Sequence, residues 1–111
     1  MLVFLMNTRT KEYLMFPNRH PHQDVIGLTS IYKNSKVDYP FDYKGMEKEA
    51  KEFFEKEDLE NTDVILIYIT GLTSALICIF NVLREMNIHT YICVMHYNKD
   101  TGHYISQYVN I

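Results

Sequence analysis

Apolar and polar positions fall in blocks along the chain, and each block has the period of a recognisable element. Leu2–Met6 (LVFLM) is an unbroken apolar run, the pattern of a strand buried on both faces. Asn7-Thr8-Arg9-Thr10 interrupts it. Glu12–Phe16 then resumes an apolar stretch, either the second strand of a hairpin or a strand leading into an irregular loop. Pro17–Asp24 (PNRHPHQD) has two prolines and no period, which predicts a loop. Val25–Lys33, with Gly27-Leu28-Thr29-Ser30 followed by Ile31-Tyr32, predicts a short helical turn, and Asn34–Tyr43 around Pro40 is again loop-like.

The second half is more regular. In Lys44–Asp58, Met46, Ala50, Phe53 and Phe54 recur at three- and four-residue spacing with Lys and Glu between them, which predicts an amphipathic helix. Glu47 with Lys51 and Glu52 with Lys56 are favourable i,i+4 pairs on its solvated face. Asn61-Thr62-Asp63 is a turn. Asp63–Ile69 (DVILIYI) has the continuous β-branched character of a central parallel strand. Thr70–Ser74 punctuates it, Thr73 or Ser74 suits an N-cap, and Ala75–Met86 predicts a helix apolar nearly all round. Arg84 complements the dipole at its end, and Asn87 suits a C-cap. His89–Tyr97 is a strand, Asn98–Gly102 a strong turn, and His103–Val109 a last strand. The expected fold is α/β: a Rossmann-like sheet with a central strand–helix–strand crossover, right-handed, and a C-terminal β-hairpin.

Length and charge narrow this further. A chain of 111 residues predicts a single domain over residues 1–111. With 11 Lys and Arg against 14 Asp and Glu, the net charge of -3 excludes the broad basic surface of a general nucleic-acid binder, though a few directed donors suffice for a nucleotide. Cys78 and Cys93 lie in apolar runs and read as reduced core thiols. Met1–Met6 is too short for a secretory leader, and polar residues interrupt the apolar stretch around Val64–Leu83, so a cytoplasmic protein with no membrane contact is expected. Nine Tyr and six Phe, with no Trp, are more aromatics than one small core hides, which points to a subunit interface or a base-stacking pocket.

Candidate chemistry concentrates at Thr70-Gly71-Leu72-Thr73-Ser74. At the carboxyl end of a central strand, a glycine turn, the free N–H groups of a helix N-terminus and three hydroxyls form a ready anion site. The spacing is neither a phosphate-binding P-loop, which needs a lysine, nor a dinucleotide fingerprint, which needs more glycines. Asn7, Thr8 and Arg9 follow the expected first strand. If that strand runs parallel to 63–69, they lie on the same sheet edge, where Arg9 would add a phosphate contact. His20 and His22 sit in a polar loop able to close over a ligand, and His96 ends a strand at the same edge. Any of the three is a candidate general acid. His103 lies just across the hairpin turn. No metal site is expected, because the cysteines are in apolar elements away from His20 and His22. No cofactor is implied. Neither a carboxylate pair nor a Gly-x-Ser-x-Gly elbow supports glycosidase or α/β-hydrolase chemistry.

The run Ile67–Leu76 (IYITGLTSAL), with the Thr90–Tyr97 strand after it, resembles the hallmark of CRISPR-associated Rossmann-fold (CARF) sensor domains. It is also similar to small stand-alone CRISPR ring nucleases. The likeness covers roughly residues 63–97. The chain departs from it at Leu72, where a second glycine is usual, and lacks the lysine that often follows. The resemblance implies a homodimer that binds a cyclic oligoadenylate across its two-fold axis. Thr70, Gly71, Leu72, Thr73 and Ser74 would form the ligand turn. It also implies metal-independent cleavage, in which a ribose 2′-hydroxyl attacks the adjacent phosphate. Without an effector domain, a protein that degrades or sequesters its ligand is expected before a sensor. The alternatives are a non-catalytic sponge for the same nucleotide and a small viral or mobile-element inhibitor whose tyrosines face a protein partner.

Overall fold

The computed structural model describes residues 9–17, 28–33, 42–70, 73–88 and 90–110. They form β1 (Thr10–Leu14), β2 (Thr29–Ser30), α1 (Tyr43–Glu55), β3 (Val64–Tyr68), α2 (Thr73–Glu85), β4 (Tyr91–Asn98) and β5 (His103–Val109). The fold is α/β, with one five-stranded mixed sheet in the order β2-β1-β3-β4-β5. The first four strands are parallel to their neighbours, and β5 closes the expected antiparallel hairpin on β4.

The central crossover β3–α2–β4 is the one its apolar runs predict. In β3, Val64, Ile65, Ile67 and Tyr68 are all buried, because parallel neighbours and packed side chains cover both of its faces. Both helices pack on one face. Met46, Ala50 and Phe54 of α1 join Ala75, Cys78, Ile79, Val82 and Leu83 of α2 in a single core over Tyr13, Ile65, Ile67 and Ile92. The other face carries a smaller cluster of Leu14 and Tyr68, with Leu28, Leu66, Met95 and Tyr104 against it.

Local chemistry sets the element ends. Asp42 caps α1 by accepting from the backbone N–H of Gly45 at 3.1 Å. A Cβ at Gly45 would run into that carboxylate, so any larger residue here forces the Asp42 side chain to shift. The α1 face read as solvated is partly used instead. Glu47 accepts from Asn81 of α2, and Glu49 from the backbone N–H of Lys33. Helix α2 ends in a Schellman motif, with Asn87 left-handed at φ 58. The Asn87 N–H donates to Arg84 O at 3.1 Å and the Ile88 N–H to Leu83 O at 3.3 Å. Gly102, at φ 74, closes the hairpin by donating to Asn98 O at 2.8 Å.

Four sequence expectations are corrected. The strand beside β3 is Thr10–Leu14, one segment later than Leu2–Met6, which lies outside the described residues with Asn7 and Thr8. Glu12–Phe16 is not a hairpin return, since β1 runs parallel to both of its neighbours. Within the helical turn expected over Val25–Lys33, the described residues 28–33 form no helix. Thr29–Ser30 pairs with β1, and Ile31 and Tyr32 donate to Leu14 O and Met15 O. Thr73 and Ser74 lie inside the first turn of α2. No helix among the described residues is long and apolar enough to cross a membrane.

Candidate functional site

Strand order locates the crevice. β2 lies on one side of β1 and β3 on the other, so the connections leaving β1 and β3 diverge at the carboxyl edge of the sheet. In open α/β sheets ligands bind at such switch points. The ends of β1 and β3 are tied together there by one side chain. The Thr70 hydroxyl accepts from the Phe16 N–H at 2.9 Å and donates to Phe16 O at 2.8 Å. Thr70 is therefore a strut at this edge, its hydroxyl engaged with the backbone.

Beneath the strut, the Phe16 and Tyr32 rings stack at 4.8 Å and 21°. The buried Tyr32 hydroxyl donates to Ala75 O in the first turn of α2 at 2.8 Å. Burial, then the nearby Cys78, Glu49 and Glu47, pushes this phenol well above its ordinary value, so it stays neutral. The aromatic pair thus fixes the amino end of α2 against β1 and β2. That end presents an exposed Thr73, a half-buried Ser74 and the positive end of a 13-residue helix dipole.

His96 lies at the same edge. Tyr68 is level with Met95, and the Ile69 N–H donates to Met95 O at 3.2 Å, which puts His96 beside the end of β3. Its place in β4 alternates with Val94 and Ile92, on the face the helices cover. The exposed imidazole Nε2 meets the Gln107 Oε1 of β5 at 2.8 Å. The imidazole donates to this amide oxygen in the tautomer that carries its proton on Nε2. His103 opposes Asn98 across the hairpin.

Arg9 is not part of this edge. It precedes β1, and its N–H donates to Asp63 Oδ2 at 2.9 Å while its carbonyl accepts from the Asp63 N–H at 2.8 Å. The strand that pairs with β3 starts at Thr10, so Arg9 enters a strand rather than leaving one, and lies at the amino edge. His20, His22, Gly71 and Leu72 lie outside the described residues. Among the described residues no three His, Cys, Asp or Glu side chains gather as a metal site.

The amino edge has the opposite electrostatics. A groove of about 960 Å³ there is lined by Glu55, Glu57, Asp58, Glu60 and Asp63, next to the carboxyl ends of both helices. Carboxylates and helix C-termini repel phosphate, so the two rims are sharply different hosts for an anion.

Sequence reasoning did not single out Phe16, Tyr32 or Gln107. The first two matter only through the β1–β2 pairing, and Gln107 only through the hairpin register. Tyr13 and Tyr32, two of the surplus aromatics, are buried core. The Tyr13 hydroxyl donates to Glu57 Oε1 at 2.6 Å. Comparisons with protein-family models, curated proteins and solved structures find no match to this chain.

Proposed function

We propose that the protein binds a phosphate-bearing nucleotide at the carboxyl edge of its sheet. The reading we favour is a cyclic oligoadenylate held between two copies of the chain in the cytoplasm. One observation carries it: β3 ends at the switch point and delivers the amino end of α2, with Thr73 and Ser74, to that edge, while the carboxylates of the groove gather at the opposite one. The identity of the ring rests on the likeness of Ile67–Leu76 to CARF domains and ring nucleases.

Cleavage needs no metal in this reading. The ribose 2′-oxygen attacks the adjacent phosphorus and gives up its proton to solvent. The bond to the 5′-oxygen breaks, leaving a 2′,3′-cyclic phosphate and a 5′-hydroxyl. His96 donates a proton to the leaving 5′-oxygen. His20 and His22 are the other candidates for that proton.

Incubation with cyclic tetra- and hexa-adenylate in EDTA tests both steps. Binding with a linear product supports the nuclease, and absence of both defeats it. The existing bond from His96 to Gln107 favours a second reading, sequestration without turnover, which predicts tight binding and an intact ring. Exposed Tyr91 and Tyr108 favour a third, a protein-directed inhibitor. Replacing Gly71 with a bulky residue would leave that activity intact and abolish nucleotide binding in the other two.

A further inference from the structure

The two ends of the sheet are treated differently by the sequence. At one end the edge strand β2 is only two residues long, so it offers little backbone to a foreign strand. At the other, β5 runs seven residues, His103–Val109, in unbroken register with β4 and with no bulge. Among the described residues no strand pairs with its outer edge. Edge strands are ordinarily blunted by lysine, proline, a bulge or brevity. β5 has none of these. In a chain that is 23% charged, no Asp, Glu, Lys or Arg lies between 101 and 111. Ile105 and Tyr108 are each 54% exposed.

We propose that the outer edge of β5 is an interface between two copies of this chain, paired antiparallel about a two-fold axis at Ser106. The two five-stranded sheets then become one continuous sheet. Antiparallel self-pairing is the arrangement that closes at two copies. In this register Ser106 meets its copy, Tyr104 meets Tyr108, and Ile105 meets Gln107, so no like charges oppose each other. Tyr104, Ser106 and Tyr108 pair with Tyr97, Met95 and Cys93, and so share the face opposite the helices. The join extends a row of tyrosines from one copy into the next.

This contact is separate from the ligand reading. The two-fold axis runs perpendicular to the sheet and sends the two carboxyl edges to opposite rims. A nucleotide shared between copies would need a different surface.

The test is sedimentation of the full chain over a range of concentrations, together with Ser106→Cys under mild oxidation. Directly opposed residues in an antiparallel pair have Cα atoms about 4.5–5.5 Å apart, within disulfide reach. We expect concentration-dependent dimers, and a covalent dimer from Ser106→Cys under conditions where the wild-type chain, with Cys78 and Cys93, gives none. Ile105→Lys should make the protein monomeric with its melting temperature and helix content kept. A wild-type monomer at all concentrations would overturn the proposal. A dimer that neither cross-links at Ser106→Cys nor responds to Ile105→Lys would also overturn it, while leaving a carboxyl-edge dimer standing.

Discussion

The Thr70 hydroxyl holds both backbone groups of Phe16, accepting from its N–H at 2.9 Å and donating to its carbonyl at 2.8 Å. One side chain thereby fixes the spacing of β1 and β3 where the crevice opens. Thr70→Val keeps the shape and removes both bonds. We expect it to lose about 1–3 kcal/mol in urea unfolding, with Thr70→Ser recovering most of that. Equal stability of the valine variant would show that the strut is idle.

The two rims separate by mutation. Removing the Thr73 and Ser74 hydroxyls should weaken binding of cyclic tetra-adenylate. Each lost phosphate bond is worth about 1.5–3 kcal/mol, roughly ten- to a hundredfold in Kd. Arg9→Ala, at the amino edge, should leave that affinity unchanged. His96→Ala should keep binding and lose linear product. Titration calorimetry and chromatography of the products measure these outcomes. An Arg9 variant that binds as poorly as the hydroxyl variants would contradict the assignment of the rim.

Two phenols should govern alkaline stability. Burial raises Tyr13 and Tyr32 well above the ordinary 10.0, helped by Glu57 for the first and by Cys78, Glu49 and Glu47 for the second. In the unfolded chain both ionise near pH 10, so above that pH unfolding releases protons that the folded state keeps. Their contribution is complete below about pH 10 and falls as pH rises beyond it. The urea midpoint should drop steeply between about pH 10 and 12, and less steeply in Tyr13→Phe with Tyr32→Phe. Parallel curves for the two proteins would count against it.

Asn87 ends α2 with φ 58. Asn87→Gly should be neutral or slightly stabilising. Asn87→Val should cost about 1–2 kcal/mol, because a β-branched residue is poorly tolerated in the left-handed region. Thermal melts of the pair of variants check the order.

Both thiols should be slow to alkylate at neutral pH. Burial pushes Cys78 and Cys93 up, with Glu47 adding to the effect on Cys78, so little thiolate is present. Rapid labelling of either by iodoacetamide in the native state would contradict their packing.

What the sequence discloses follows from how local each signal is. The three- and four-residue spacing of Met46, Ala50, Phe53 and Phe54 and the run from Val64 to Tyr68 need no distant partner to be read, and each forms the element it predicts. The hairpin is legible because Asn98–Gly102 sets its turn. Which of the two adjacent runs, Leu2–Met6 or Glu12–Phe16, lies beside β3 is not a local signal, and only pairing with Val64–Tyr68 selects Thr10–Leu14. β2 is two residues long, too short for any period. The site followed the same division. Thr70, Thr73, Ser74 and His96 share an edge because they adjoin β3 and β4, whose direction was evident. Arg9 changed edge with the strand it precedes. The Phe16–Tyr32 stack and the His96–Gln107 bond join segments whose register the sequence does not encode locally.

The position of β1 also bears on how the chain folds. The hairpin β4–β5 and the unit β3–α2–β4 close over short separations and can assemble as soon as they are made. β1, by contrast, sits between β2 and β3, and its first hydrogen bonds bridge residues 54 positions apart. It is synthesised early, yet its inner neighbour arrives about half a chain later. Until then its edges are open to other strands. The rate-limiting event should be insertion of this strand, so mutations in β1 should slow refolding more than mutations of equal cost in β5.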